Sequence, residues 1–273
     1  MRQRLSDKRL LGKQPVVLSF LLWILCGCMY ANHANAQAAS VDSNIHVYLL
    51  VGQSNMAGRG KPDSLSKISN RRIIMLDSMN HWVSATDPVH YDKPKVAGVG
   101  PAIAFANAML QQDSAITIAL VPCAWGGSPI RVWEPGAAYF AAHPYDDAIS
   151  RTRLAMKTGV LKGILWHQGE SDNDSLKASQ YLQKLLALVN RFRSDLQQPG
   201  LPFVAGEIGY FNTVQWINPV LQQLPAALPH TAMISAKGLT DIGDHLHFNT
   251  PSARELGRRY AEAMKALQWL PVE

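Results

Sequence analysis

The strongest constraint on the fold is an alternation along the chain between apolar, β-branched runs and helix-like segments. The strand-like runs are residues 45–51, 71–76, 115–122, 161–167, 202–208 and 231–235. The helix-like segments are residues 100–112, 145–159, 175–196 and 252–267. Strands that are apolar throughout and separated by helices predict a mostly parallel sheet with helices on both faces. Residues 58–67 and 79–99, rich in Pro, Asp and Gly, predict loops over the sheet edge.

The N-terminus has the composition of an export signal rather than of a folded domain. A basic segment precedes an apolar run over residues 15–30, and a small-x-small site follows at Ala34-Asn35-Ala36. This order predicts a signal peptide at residues 1–36 and a secreted or periplasmic location. A lipoprotein with a lipid anchor at Cys28 is the alternative, because Leu25-Cys26-Gly27-Cys28 resembles a lipobox.

Residues 37–273 are expected to form a single domain, because 47% of the 273 residues are hydrophobic and can bury a full core. Removing residues 1–36 leaves 21 Lys and Arg against 19 Asp and Glu, so the net charge falls from +6 to about +2. Without a clustered basic face we expect no nucleic-acid partner, and we expect no membrane span in the mature chain. Cys123 is the one cysteine left, so the domain relies on its core rather than on a disulfide.

Polar residues follow several of the predicted strands. These segments are residues 52–56, 123–128, 167–172 and, near the end of the chain, 244–249. Ligands of a parallel sheet bind at the carboxyl ends of its strands, so these segments are where chemistry is expected.

Ser54, at the end of the first strand-like run, is the candidate nucleophile. A serine where a strand ends and a helix begins exposes its hydroxyl, and its own N–H points the same way, which suits an oxyanion hole. The alternative is that Ser54 only caps the helix. The G-x-S-x-G elbow of α/β-hydrolases is absent because Met56 occupies the last glycine position, so that fold is disfavoured.

Asp244 and His247 are the candidate acid and base. Their separation ahead of a helix lets one turn bring the carboxylate to the imidazole Nδ1 while Nε2 faces a serine. A metal site that uses His245 and His247 is an alternative, but no third soft ligand has a recognisable spacing. A capping aspartate and a packed histidine are the structural alternative.

Gly126, Gly127 and Gln168 are candidates for an oxyanion hole. Adjacent glycines let the backbone approach a reacting carbonyl and offer an N–H, and the Gln168 amide offers a second donor. A tight turn at the glycines and a loop-stabilising amide are the alternatives.

Four segments taken together resemble the SGNH hydrolase superfamily: GQSNMAGRG, CAWGGSPIRVW, WHQGESD and DHLHFNTPSARELGRRYA. Within it they are similar to the sialate O-acetylesterase-like group and to carbohydrate esterase family six, the acetylxylan esterases. The resemblance covers nearly all of residues 45–267. It implies a three-layer α/β/α, flavodoxin-like fold with a central five-stranded parallel sheet, and a serine esterase that needs no metal or other cofactor.

The resemblance also assigns catalytic roles. It implies that Ser54 is the nucleophile, His247 the general base and Asp244 the acid that orients it. In the subgroup the glutamate of the His-Gln-Gly-Glu motif, here Glu170, is an alternative acid. Asp244 is preferred because its three-residue separation from His247 nearly fixes their geometry, whereas Glu170 depends on how two loops meet. Glu170 would then support Gln168 or the serine loop.

The implied oxyanion hole consists of the Ser54 N–H, the N–H of Gly127 or Gly126, and the Gln168 side chain, where the superfamily usually has asparagine. Three further residues are predicted to line the substrate site: Asn55, Arg59 and Trp125. The alternatives are, respectively, a turn-forming residue, a surface cation and an aromatic side chain of the core.

The expected activity is removal of O-acetyl groups from a carbohydrate through an acetyl-enzyme, so the expected partner is an acetylated carbohydrate. Acetylxylan is the favoured substrate, because the chain lacks room for an added β-domain. The alternatives are a sialate 9-O-acetylesterase, another short-chain ester hydrolase, a lipid or thioester hydrolase of the same superfamily, and a non-catalytic glycan-binding module.

Overall fold

The structure is a computed structural model that describes residues 41–111, 113, 115–211 and 215–268. The predicted signal peptide at residues 1–36 and the alternative anchor at Cys28 lie outside these residues.

A seven-stranded sheet forms the centre of the domain. Its strands are β1 (Asp42–Gly52), β2 (Ile73–Leu76), β3 (Trp82–Ser84), β4 (Thr117–Pro122), β5 (Gly159–His167), β6 (Phe203–Gly206) and β7 (Thr231–Ile234). They are ordered β3-β2-β4-β1-β5-β6-β7, and every neighbouring pair is parallel except β2 with β3. The predicted number of five strands is therefore wrong, although the mostly parallel sheet is confirmed.

The hairpin of β2 and β3 contains the one strand, β3, that lies outside the six predicted strand-like runs. The run at residues 71–76 supplies β2, which pairs with β4, while β3 arises within the segment 79–99 that was expected to be a loop. Asp77 Oδ1 accepts the N–H groups of Met79 and His81, both at 2.8 Å, and so turns the chain back antiparallel. This side-chain turn carries no strand periodicity, so the sequence pattern did not reveal it.

Seven α-helices lie among the described residues. They are α1 (Ser54–Ala57), α2 (Ala102–Leu110), α3 (Pro144–Ala155), α4 (Ser175–Asp195), α5 (Asn218–Leu221), α6 (Leu224–Ala227) and α7 (Thr250–Gln268). The four long ones occupy the predicted segments. In α4 the Asp174 side chain accepts the Lys177 N–H at 2.8 Å and caps the first turn. Among the described residues no helix is both long enough and apolar enough to cross a membrane.

Helices cover both faces of the sheet, as the apolar strands predict. Along β1, Val47, Leu49 and Val51 pack into the core beneath α3 and α4, and Tyr48 and Leu50 pack into the core beneath α2 and α7. All five side chains are fully buried. The three-layer α/β/α architecture is therefore confirmed.

The position of β1 between β4 and β5 brings the polar segments together. Leu50 of β1 is in register with Pro122 of β4, and Gly52 is in register with His167 of β5. The three strands thus end at one edge of the sheet, on which the chain segments that follow them converge.

The packing of α7 against α2 generates a test of the fold. A Cβ on Gly257 would lie 2.2 Å from the carbonyl oxygen of Pro101 and 2.8 Å from the backbone nitrogen of Phe105. We expect Gly257→Ala to lower the free energy of unfolding by about 1–3 kcal/mol, because the helices must separate. Urea denaturation measures this change. Glu262→Ala, on the exposed face of α7, should change it by less than about 0.5 kcal/mol, and an unchanged Gly257→Ala would show that the helices tolerate the methyl group.

Candidate active site

Ser54 begins helix α1 directly after β1. Gly52 has a φ of 129°, and a Cβ there would lie 2.1 Å from the carbonyl oxygen of His167, so this strand end requires glycine. Gln53 donates its N–H to the same carbonyl at 2.8 Å and occupies the N-cap position. Ser54 is therefore the first helical residue, and its hydroxyl contacts a histidine instead of capping the helix.

A chain of hydrogen bonds joins Ser54, His247 and Asp244. The Ser54 Oγ lies 3.0 Å from His247 Nε2, and His247 Nδ1 lies 2.6 Å from Asp244 Oδ2. Ser54 is 6% exposed, so this contact is shielded from bulk water. The structure thus brings these three side chains together through the ring nitrogens that the sequence analysis assigned to them.

A tight turn holds the Asp244 carboxylate beside the imidazole. Its Oδ1 accepts the N–H of Leu246 at 3.0 Å and the N–H of His247 at 2.9 Å. Partial burial by itself raises the pKa of Asp244, but the hydrogen bonds from His247 and Leu246 outweigh it and hold the pKa below its ordinary value. The ionised carboxylate can only accept, so the neutral imidazole carries its proton on Nδ1 and leaves Nε2 free to take one from Ser54.

His245 lies outside this chain of groups. Its backbone φ is 56°, its side chain is 81% exposed, and its Nδ1 lies 3.4 Å from Asp241 Oδ2. His245 and His247 therefore contact different carboxylates, which does not fit a metal site that uses both. Within the described ranges, no group of three or more His, Cys, Asp or Glu side chains is placed to hold a metal ion.

Asn55 connects the turn at Glu170 to the segment that carries His247. Its Nδ2 donates to Glu170 Oε1 at 2.5 Å and to the Leu246 carbonyl oxygen at 3.0 Å, and its Oδ1 accepts the Phe248 N–H at 3.1 Å. The residue is 3% exposed. The expectation that Asn55 lines the substrate site does not fit these contacts, because the side chain braces the His247 segment.

The Glu170 carboxyl is buried in the wall of the site. Its side chain is 4% exposed, and Oε2 has no hydrogen-bond partner among the described residues. Burial raises the pKa of Glu170 to about 7, against a smaller lowering by the Asn55 hydrogen bond. His167 Nε2 lies 4.0 Å away, but burial lowers the pKa of His167 to about 3, so that ring is neutral. Of the two candidate acids, Asp244 is the one that contacts His247.

Two backbone N–H groups are available as oxyanion donors. Among the described residues, the N–H groups of Ser54 and Gly127 have no acceptor, and both residues line the same pocket. Gly126 instead donates its N–H to Asp92 Oδ2 at 2.8 Å. Of the two adjacent glycines, Gly127 therefore fits the predicted role and Gly126 does not.

Gln168 lies behind these donors and is fully buried. Its Nε2 donates to Asp172 Oδ2 at 2.7 Å, and the carbonyl oxygen of Ser128 and the Oε1 of Gln53 each lie 3.1 Å from it. A side-chain amide has two N–H bonds, so these protein acceptors use its full donor capacity. The predicted oxyanion role of Gln168 does not fit this geometry, in which the amide joins the loops that follow β1, β4 and β5.

A pocket of about 640 Å³ opens above Ser54. Its lining consists of Gln53, Ser54, Arg59, Lys93, Val96, Gly126, Gly127, Glu170, Ser171, Ile242, Asp244, Leu246 and His247. Arg59 lies in the wall as expected, but its guanidinium is 2.8 Å from Asp92 Oδ2 and so offers no free charge. Trp125 does not line this pocket and instead contacts a neighbouring cavity of about 260 Å³.

Asp92 and Lys93 are charged residues of the site that the sequence analysis missed. Both lie in the segment 79–99, which was expected to be a loop, and Lys93 lines the pocket without an ion-pair partner among the described residues. Their one sequence signal is charge in a polar loop, which says nothing about proximity to Ser54.

Comparison with known proteins identifies relatives along most of the chain. A family model described as carbohydrate esterase, sialic acid-specific acetylesterase, matches residues 44–266. The chain is similar to a probable carbohydrate esterase of Arabidopsis thaliana, with 37% identity over 242 residues that cover 80% of this chain and 89% of the plant protein. The predicted resemblance to the sialate O-acetylesterase-like group is confirmed.

Solved structures share the architecture. The X-ray structure of the Arabidopsis protein matches with a TM-score of 0.74 and 34% identity, covering 82% of this chain and 99% of that one. The structure of NanS matches with a TM-score of 0.63 and 19% identity, covering 83% and 98%. A carbohydrate acetylesterase of Xanthomonas citri matches with a TM-score of 0.65 and 19% identity, covering 82% and 56%. At 19% identity, the last two support the fold alone.

The burial of Glu170 makes the stability of the protein depend on pH. The folded state keeps this carboxyl protonated up to about pH 7, whereas the unfolded chain releases the proton near pH 4.5. The resulting stabilisation is complete below pH 4.5 and is lost as the pH rises through 7. We expect wild type to lose on the order of 1–3 kcal/mol relative to Glu170→Gln between about pH 5 and pH 8, as measured by urea denaturation. Parallel stability curves for the two proteins would contradict a raised pKa.

Proposed function

We propose a serine esterase mechanism for this chain, which belongs to the carbohydrate esterase family described as sialic acid-specific acetylesterases. Membership in this family supports the removal of O-acetyl groups from carbohydrates. One observation carries the mechanism: Ser54 Oγ lies 3.0 Å from His247 Nε2, and His247 Nδ1 lies 2.6 Å from Asp244. This is the arrangement that activates a serine hydroxyl for acyl transfer.

The first half of the proposed reaction forms an acetyl-enzyme. Ser54 Oγ attacks the acetyl carbonyl carbon while His247 Nε2 takes the hydroxyl proton, and the N–H groups of Ser54 and Gly127 stabilise the negative oxygen of the tetrahedral intermediate. The bond from carbon to the sugar oxygen then breaks. The sugar leaves as an alcohol that carries the proton returned by His247.

The second half releases acetate. Water attacks the Ser54 ester, His247 takes a proton from that water, and the same two N–H groups stabilise the second oxyanion. The Ser54 oxygen leaves with the proton from His247, which regenerates the enzyme. Throughout both halves the Asp244 carboxylate stabilises the charged imidazole and maintains its orientation.

The proposal also concerns which sugar carries the acetyl group. Acetylxylan is the neutral candidate and O-acetylated sialic acid, which carries a carboxylate, is the acidic one. The family description and the pocket both favour the acidic candidate, because Lys93 lines the pocket and has no ion-pair partner among the described residues.

Acetate release tests the mechanism. We expect Ser54→Ala to lower kcat at least ~10³-fold and Asp244→Asn to lower it ~10²- to 10⁴-fold, measured on p-nitrophenyl acetate, acetylated xylan and acetylated sialic acid. Glu170→Gln should lose much less, because its carboxyl contacts Asn55 rather than His247. If wild type and Ser54→Ala are equally inert on every ester, the esterase is refuted and a glycan-binding module is favoured. If both are equally active, Ser54 is not the nucleophile. A larger loss of kcat in Glu170→Gln than in Asp244→Asn would assign the role of the acid to Glu170.

Two lysine variants test which sugar the site prefers. Removing the pocket cation in Lys93→Met should lower kcat/KM for acetylated sialic acid by about fivefold relative to acetylated xylo-oligosaccharide, since one partly exposed ion pair contributes roughly 1 kcal/mol. Lys95→Met is the matched control, because Lys95 lies in the same loop but does not line the pocket. An unchanged ratio between the two substrates in Lys93→Met would count against the acidic candidate.

A further inference from the structure

Arg59 and Asp92 form a buried ion pair beside the oxyanion donors. The Arg59 guanidinium lies 2.8 Å from Asp92 Oδ2, and the two side chains are 6% and 1% exposed. Charges buried to this degree are costly unless each has a partner, so the pair needs a structural reason to lie here. Because Asp92 neutralises Arg59, a direct role of the guanidinium in binding an anionic substrate does not provide that reason.

The pair contacts the backbone on both sides of the oxyanion position. Asp92 Oδ2 accepts the Gly126 N–H at 2.8 Å. Arg59 donates to the Gly58 carbonyl oxygen at 2.7 Å, and the N–H of Gly58 donates to the Ser54 carbonyl oxygen at 2.8 Å. One ion pair thus joins the helix that carries the Ser54 N–H to the loop that carries the Gly127 N–H.

The hydrogen bonds of this loop explain why Gly127 in particular has a free donor. The N–H of Ala124 bonds to His90 Nδ1 at 3.3 Å, that of Trp125 to the Gly52 carbonyl oxygen at 2.9 Å, and that of Gly126 to Asp92. Gly127 follows, with a φ of 84° and no acceptor for its N–H among the described residues. The hydrogen bond from the Gly126 N–H to Asp92 is therefore the last one that fixes this loop before the unpaired N–H of Gly127.

Gly126 is a glycine because the ion pair packs directly against it. A Cβ at this position would lie 2.4 Å from the guanidinium of Arg59 and 2.8 Å from Asp92 Oδ2. Its backbone φ, unlike that of Gly127, is not in the positive range that favours glycine. The glycine pair thus divides its roles: Gly126 accommodates the ion pair, and Gly127 presents the donor.

We propose that Asp92, held by Arg59, is a positioning residue of the oxyanion hole, which fixes Gly126 so that the Gly127 N–H faces the acetyl oxygen. This inference rests on the proposed function, because the hole acts on an acyl intermediate. Asp92 touches neither substrate nor reacting atoms. Its effect should therefore appear in the rate of the chemical step rather than in substrate binding.

Steady-state kinetics of Asp92→Ala and Asp92→Asn test the proposal. Asp92→Ala removes the acceptor of the Gly126 N–H, so kcat for p-nitrophenyl acetate should fall ~10- to 10²-fold while KM stays within about threefold. Asp92→Asn keeps a carbonyl oxygen at this position and should restore most of kcat. Asp63→Ala is the matched control, because it removes another Arg–Asp pair, with Arg254 at 2.7 Å, away from the pocket, and kcat should be unchanged.

Backbone hydrogen exchange of Gly126, followed by NMR, tests the same contact without relying on catalysis. The Gly126 amide should exchange at least about tenfold faster in Asp92→Ala than in wild type, and Asp63→Ala should leave it unchanged. Unchanged Gly126 exchange in Asp92→Ala, or equal loss of kcat in Asp92→Asn and Asp92→Ala, would overturn the positioning role. Inactivity of wild type itself would refute the proposed function, and the exchange rates would still decide whether Asp92 holds Gly126.

Discussion

Parallel pairing of β1 on both of its sides is the interaction on which the rest of the structure depends. Both faces of this strand are buried, and its register with β4 and β5 places Gly52 against His167 at the carboxyl edge. A shift of one residue would exchange the two core faces of β1 and move Ser54 away from the edge. The requirement for glycine at position 52 follows from this register, because the backbone of β5 passes too close for a side chain.

The geometry of the site is set by polar groups that already have hydrogen-bond partners within the protein. Loops that follow β1, β4 and β5 meet at this edge, where the Gln168 amide joins them and Asp92 accepts the Gly126 N–H. Two backbone donors that have no acceptor among the described residues, the N–H groups of Ser54 and Gly127, belong to residues that line one pocket. Donors that are held in advance need no reorganisation when a negative charge develops beside them.

The carboxyl groups of the site differ in chemical state because their partners differ. Asp244 accepts three hydrogen bonds and has a lowered pKa, Asp92 is paired with Arg59, and Glu170 is buried with an amide neighbour and a pKa of about 7. These environments suit the three roles that we propose, in which Asp244 stabilises the charge on His247, Asp92 anchors a loop, and Glu170 supports the serine helix through Asn55. The sequence identified two of these three acids, and only contacts between distant loops separate their roles.

Local sequence patterns were enough to predict the alternating helices and strands, the serine after β1 and the Asp244–His247 pair, because these depend on local periodicity and on short separations along the chain. Tertiary structure decided the β2–β3 hairpin, the internal bonding of Gln168, the bracing role of Asn55 and the place of Asp92 beside Gly126. Those features join segments 34 or more residues apart or depend on a side-chain turn. Periodicity carries no information about which donor finds which acceptor when loops meet.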